Sequence, residues 1–287
     1  MRNLLLIAIL SVLISGTLPK GINSSAISIH ELIKQGEITV SPTTNGGDNE
    51  ASIKLSLKNL AEGRRVMIPR GTRFKSVLGE EQDLLVPQDL IVDLPRKGQK
   101  ELTLNAYCMQ HSNLAPQENQ VFGITEEKDE QLLKVLNFMD GKRYAPSVIQ
   151  DAVWALTDGV DVAGISSSLP AEKELRTFIC NTLGIENVWY DLDRSYEQTP
   201  DREIVPRTVE VSGDIAYEAE ETGEVVMQVT EEDGTVIREL GGGMPVTRVG
   251  NYKFRFSMKV QGWESGLYFV QLKIQDNVFH KVAFEVA

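Results

Sequence analysis

The sequence predicts a mainly β chain with one helical block: an antiparallel β-sandwich joined to a three-helix region, then a second β-sandwich. Three observations carry that expectation. Ile53, Leu55 and Leu57 alternate with Lys54, Ser56 and Lys58, the period-two pattern of a strand with one wet face. Helical spacing of apolar residues is confined to the stretch from about Glu126 to Gly184. Alternation then returns, most cleanly where Tyr252, Phe254, Phe256, Met258 and Val260 interleave with Lys253, Arg255, Ser257 and Lys259. The boundaries that follow are a signal peptide over 1–26, a sandwich with helical region over 27–185, a linker over 186–207 and a C-terminal sandwich over 208–287. A chain of 287 residues accommodates two or three compact units at roughly 100–200 residues each.

In order, Met1-Arg2-Asn3 is positively charged, Leu4 to Ile14 is apolar, and small residues follow at Ser24-Ser25-Ala26, the pattern of a secretory signal. The apolar run is about half of what a bilayer span needs at ~1.5 Å per residue, so no transmembrane anchor is expected. Thr43 to Asn49 reads as a turn or loose loop. Short strands are expected at Ile53–Leu57, Val66–Pro69, Asp89–Leu94 and Glu101–Cys108, where Leu102, Leu104, Ala106 and Cys108 share the core-facing parity. Glu126, Glu127, Asp129 and Glu130 load the first turn of a helix stopped by Gly141. A second helix starts at Ser147, with Gln150 reaching back to complete a capping box and Gly159 as its C-terminal cap. A third enters through Pro170 and ends at Gly184. Residues 186–207 are charged, aromatic and interrupted by two prolines, hence the linker. Asp233-Gly234 marks a tight hairpin in the last sandwich, and Gly241-Gly242-Gly243 a flexible hairpin loop.

The formal net charge is −12, and removal of residues 1–26, which carry Arg2 and Lys20 and no acid, takes it to −14. So acidic a protein is poorly suited to nucleic acid or to an anionic membrane surface. An exported location is expected: periplasmic, cell-surface or secreted. Cys108 and Cys180 are the two cysteines, and in an exported chain they can form one disulfide. Other motifs are weak. His111, three residues after Cys108, invites a cysteine-hydrolase reading but sits in a polar loop as an exposed bystander. Asp191-Leu192-Asp193 starts like a calcium loop, yet Tyr196 and Arg202 stand where such a loop needs Gly and Glu. An irregular site on Asp191, Asp193, Asp158 or Asp161 is the residual metal idea. No metal or other cofactor is expected.

One pairing carries specific chemistry. A thiol held against a glutamine carboxamide can displace ammonia and form an internal thioester, latent until an amine reaches it. Tyr107-Cys108-Met109 and the segment Ile149-Gln150-Asp151-Ala152-Val153-Trp154 supply the two partners. Together they resemble the thioester domains of bacterial surface adhesins, marked by an aromatic or leucine before Cys and by a hydrophobic-Gln-x-x-hydrophobic-Trp segment. The resemblance implies covalent attachment to amines through Cys108 and Gln150, with Tyr107 and Trp154 in support. The tail, with its Asp233-Gly234 hairpin, Gly266-Leu267-Tyr268-Phe269-Val270 and Lys281-Val282-Ala283-Phe284, is similar to the immunoglobulin-like C-terminal domains of type IX secretion cargo and of hook-capping proteins. The functional expectation is an exported, non-enzymatic binding or scaffolding protein of a cell surface or extracellular matrix, with a protein or polysaccharide partner. Covalent attachment through Cys108 and Gln150 is the first alternative, and hydrolysis by Cys108 and His111 the second.

Overall fold

The structure, a computed structural model, describes residues 25–46 and 52–286. Apart from Ser25 and Ala26, the signal-peptide segment lies outside the described residues. The chain begins with β1 (Ile27–Ser28) and α1 (Ile29–Lys34), followed by β2 (Ile38–Asn45), β3 (Ser52–Asn59), β4 (Arg64–Ile68), β5 (Thr72–Ser76), β6 (Leu84–Leu85), β7 (Leu90–Leu94), β8 (Gln99–Asn105), β9 (Tyr107–Cys108) and β10 (Glu118–Glu126). These form a three-stranded sheet, β1-β4-β7, and a seven-stranded sheet, β8-β3-β2-β10-β5-β6-β9. The core between them takes Val66, Ile68, Val92 and Leu94 from the small sheet and Ile53, Leu55, Leu57 and Phe74 from the large one. Lys54 and Lys58 are exposed, as the alternation requires. Each fully buried Leu or Ile stabilises the fold by roughly 1.5–3 kcal/mol. Among the described residues the named strands of the first sandwich pair antiparallel except β1 with β4. Thr43, Thr44 and Asn45 belong to β2 rather than to a loop, because Thr43 pairs with Lys54 and Thr44 with Ile53.

The helical region is α2 (Glu130–Met139), α3 (Pro146–Thr157), a 3-10 turn at Val162–Gly164, and α4 (Pro170–Leu183). Asp129 caps α2 by accepting from the backbone N–H of Gln131 and Leu132. Glu126 ends β10 instead, and Glu127 pairs with Arg73 at 3.0 Å. The capping box foreseen for Ser147 and Gln150 does not form: α3 starts a residue earlier, at Pro146, with no side-chain cap. Proline at the first position needs no partner for an absent N–H, which leaves the Gln150 side chain for another use. Residues 148–155 of α3 are all buried, so this helix is enclosed by its neighbours rather than laid on a surface. Gly184, at φ +70°, ends α4 in the left-handed conformation that only glycine adopts cheaply.

The last region comprises β11 (Tyr190–Gln198), β12 (Ile204–Ala219), β13 (Gly223–Glu231), β14 (Val236–Val246), β15 (Gly250–Lys259), β16 (Gly266–Ile274) and β17 (Asn277–Val286). Sheets β11-β12-β15 and β14-β13-β16-β17 enclose a core with Val211, Phe256 and Met258 on one side and Val229, Val270 and Phe284 on the other. Lettered A to G in order, these sheets are A-B-E and D-C-F-G, the immunoglobulin-like arrangement with strand D moved across. Gly241–Gly243 run within β14 and are no hairpin loop.

The stretch foreseen as a linker is instead largely paired strand. Residues 190–198 and 204–207 are paired strand, and the β11–β12 hairpin reaches from one sandwich to the other. Tyr190 and Leu192 enter the C-terminal core, while Ile204 is buried in the first core and Tyr196 packs against it. The hairpin tip is fastened there by the Ala115 N–H donating to the Arg202 carbonyl at 2.8 Å. The inward parity of Tyr190, Leu192 and Tyr196 outweighs the charges of the stretch, of which Arg194 shares that parity and Asp191 is buried against Arg176. Arg176 of α4 locks the base of the hairpin. Its buried guanidinium donates to Asp191 at 2.6 Å and to the carbonyls of Ile165, Tyr190 and Val188.

Candidate functional site

Strand β9 lies at the edge of the seven-stranded sheet, with Cys108 opposite Leu84 of β6. The ladder to β6 runs through its neighbours: the Met109 N–H donates to the Asp83 carbonyl at 2.9 Å. The N–H and C=O of Cys108 point the other way, to the open side, and a buried backbone group left unpaired there would cost about 1–3 kcal/mol. Gln150 of α3 fills that place. Its Oε1 accepts from the Cys108 N–H at 2.9 Å, and its Nε2 donates to the Cys108 carbonyl at 2.8 Å. This is the reciprocal exchange that two residues of adjacent antiparallel strands make, performed by one side-chain amide. The carboxamide is thereby fixed across the main chain of the cysteine whose Sγ lies two bonds from that main chain.

Both residues are buried, Cys108 at 0% and Gln150 at 4% exposure. Cys108 belongs to the core of the first sandwich, whereas Tyr107 and Met109 belong to the helical core, so β9 is shared between the two. Trp154, fully buried, sits on the sandwich side and donates from Nε1 to Gln82 at 3.2 Å. Thr157 donates to the carbonyl of Met109. Gln150, Trp154 and Thr157 stand at i, i+4 and i+7, one face of α3 turned to β9 and its neighbours. The structure thus brings together Tyr107, Cys108, Gln150 and Trp154.

It does not bring Cys108 to Cys180. No disulfide joins them; Cys180 is buried on α4 in the helical core, where burial raises its thiol pKa. The disulfide foreseen as the alternative is therefore absent. His111 is half-buried rather than an exposed bystander. Its ring stands edge-on to Trp154 with centroids 4.9 Å apart, and burial lowers its pKa. Three of the four acids weighed for calcium are engaged elsewhere: Asp191 with Arg176, Asp158 with the Ser112 N–H, and Asp161 as the cap of the 3-10 turn, while Asp193 is exposed. Among the described residues no group of three or more His, Cys, Asp or Glu side chains could hold a metal ion.

Sequence reasoning missed the other wall of the site. Asp151, next to Gln150, accepts a hydrogen bond from the Tyr196 hydroxyl of β11. Burial pushes the Asp151 carboxyl up to about 6, against the opposing effects of the Tyr196 hydrogen bond and the Arg194 charge. Tyr196 is raised too, by burial first and then by the Asp151 charge. The Arg194 side chain, only 4% exposed, lies 3.8 Å from the Asp161 carboxylate, and its Nε has no partner among the described residues. Gly164 is needed between them, since a Cβ there would stand 2.7 Å from Arg194 and 3.2 Å from Asp151. Gln150, Asp151, Asp193, Tyr196, Glu210 and Arg255 line one cavity of about 770 Å³, between α3 and the sheet of β11, β12 and β15. The signal that could have found this wall is the shared parity of Tyr190, Leu192, Arg194 and Tyr196.

No protein-family model matches this chain, and no curated protein matches it. Among solved structures, red sea bream transglutaminase is similar over 90% of this chain and 33% of its own length, with 8% identity and a TM-score of 0.20. The chain thus spans about a third of that enzyme, and a likeness so slight carries nothing about fold or activity. Among the described residues no helix is long and apolar enough to cross a membrane.

Proposed function

We propose that Cys108 and Gln150 form an internal thioester, and that the protein is an exported attachment protein that couples covalently, once per molecule, to amines on a protein or polysaccharide surface. The observation that carries this reading is the reciprocal bonding of the Gln150 carboxamide to the main chain of Cys108. It holds an acyl group against the main chain of a nucleophilic residue, each on a rigid element, which lowers the entropic barrier to their reaction. In the forming step the Cys108 Sγ attacks the Gln150 Cδ, the C–N bond breaks, and the thiol proton leaves with the amide nitrogen as ammonia. Later an amine attacks the same carbon, the C–S bond breaks, and the products are an amide at residue 150 and the Cys108 thiol. Burial of both residues keeps water from hydrolysing the acyl group.

A glutamine that merely closed the open edge of β9 would make the same hydrogen bonds without losing an atom, so mass separates the two roles. Purified protein is expected about 17 Da below its sequence mass, and methylamine should carry it to about 14 Da above. Adducts with an amine-bearing partner should survive boiling in denaturant, and none should form with Gln150→Ala. An unaltered mass, with both thiols open to alkylation after unfolding, would overturn the proposal.

A further inference from the structure

The cavity beside Gln150 has a chemical bias that the Cys108–Gln150 pair does not need for its own geometry. On β11 and β12, Asp193 and Glu210 are cross-strand partners, and both line the cavity. Asp191 lines it as well, its charge met by Arg176 at 2.6 Å. The cations there are Arg194, turned to Asp161, and Arg255, which lies 3.8 Å from Asp214 and 4.0 Å from Asp191 and leaves Asp193 and Glu210 without a cation within ion-pair distance among the described residues. Asp151 is the carboxylate adjoining Gln150 on α3, and Tyr196 anchors it by a hydrogen bond to one oxygen. Arg194 and Tyr196 face it from β11, and Asp161 stands beyond Arg194 on the 3-10 turn. His111 neighbours Tyr196, with ring centroids 6.2 Å apart.

We infer that this cavity is the port by which a primary amine, such as a lysine side chain, approaches the acyl carbon of residue 150, and that Asp151, held by Tyr196, is the base that takes its proton. The inference rests on the thioester reading. Asp193 and Glu210 would draw an ammonium group to the cavity by charge, and it reacts as the free amine after giving one proton to water. As the amine nitrogen bonds to the acyl carbon, its proton passes to the Asp151 carboxylate. The C–S electron pair goes to Cys108 Sγ, and the same proton is returned to that thiolate, so the carboxylate is regenerated. Burial already sets this carboxyl near 6, which lets it be ionised at neutral pH yet accept a proton from a positively charged adduct. Formation of the thioester is the same path in reverse with ammonia as the amine, and Asp151 would then deliver the proton to the leaving nitrogen.

The test is the rate at which methylamine consumes the thioester, followed by mass between pH 5 and 8 and corrected for the free-amine fraction. Wild type should show a rise centred near pH 6. Asp151→Asn should lose that rise and slow by roughly 10²-fold or more. Tyr196→Phe removes a hydrogen bond that favours the carboxylate, so its rise should move to higher pH, and this second variant decides the matter if Asp151→Asn fails to fold or forms no thioester. An intact thioester in Asp151→Asn with the wild-type rate and profile would overturn the inference alone, as would a Tyr196→Phe profile that does not move. Absence of the mass deficit from wild type would overturn the thioester reading and the inference together.

Discussion

The two cysteines are both buried, yet their surroundings differ. Cys108 sits on an edge strand whose open side is covered by a carboxamide, at the seam between a sandwich core and a helical core. Cys180 sits inside α4, where the helix satisfies the backbone and no carboxamide is needed. An edge strand creates unpaired N–H and C=O groups, and the side chain recruited to pair them lays a carboxamide across the main chain of Cys108. A helix creates no such demand in its interior. Burial alone does not distinguish the two thiols; the carboxamide that pairs the open edge of β9 does.

The largest expected effect comes from removing the partner of Cys108. Gln150→Ala should abolish amine capture and orphan the buried Cys108 N–H, lowering stability by roughly 1–3 kcal/mol. Denaturant unfolding together with intact mass would check both. Arg176→Met should cost about 3–5 kcal/mol, because it leaves the nearly buried Asp191 carboxylate with only the Ser167 N–H and the more distant Arg255, while the mass deficit persists. Loss of the deficit there would show that the hairpin base, and not only β9 and α3, sets the reaction geometry.

A third prediction concerns pH. The Asp151 carboxyl is raised above its unfolded value, so the folded protein binds a proton the unfolded chain has released between about pH 4 and 6. The stability tied to that proton is fully present below pH 4 and is lost as pH rises through 6, by roughly 3 kcal/mol. Asp151→Asn should remove this slope, which unfolding midpoints measured at pH 4 and pH 7 would reveal. The smallest effect is expected from Cys180→Ala, about 1 kcal/mol with capture intact. If that variant lost the mass deficit, the contrast between the two thiols would fail.

Much of the fold was legible because alternation and helical spacing report which face is wet. β3, α4, the Asp233-Gly234 hairpin and the alternation of β15 follow from such patterns directly. Strand β10, with one buried residue in nine, left no comparable trace. The β11–β12 hairpin was hidden by its charges and prolines, although Tyr190, Leu192 and Tyr196 kept the parity. Gln150 was visible as a residue type at a meaningful position, but its local reading as a capping residue competed with its long-range one. Pro146 resolved that competition by starting the helix without a side-chain cap.

By itself the sequence determined two β regions flanking a helical block, an acidic balance, and a cysteine and glutamine of the right kinds to react. It could do so because periodicity, charge and residue type are local properties. Only the tertiary structure decided that β9 is an edge strand, that the Gln150 amide bonds to Cys108 rather than to its own helix, and that Tyr196 meets Asp151 across the hairpin. Those contacts join residues more than 40 positions apart. They depend on which hydrogen-bonding groups the packed sheet leaves unpaired, and no window of sequence contains that information.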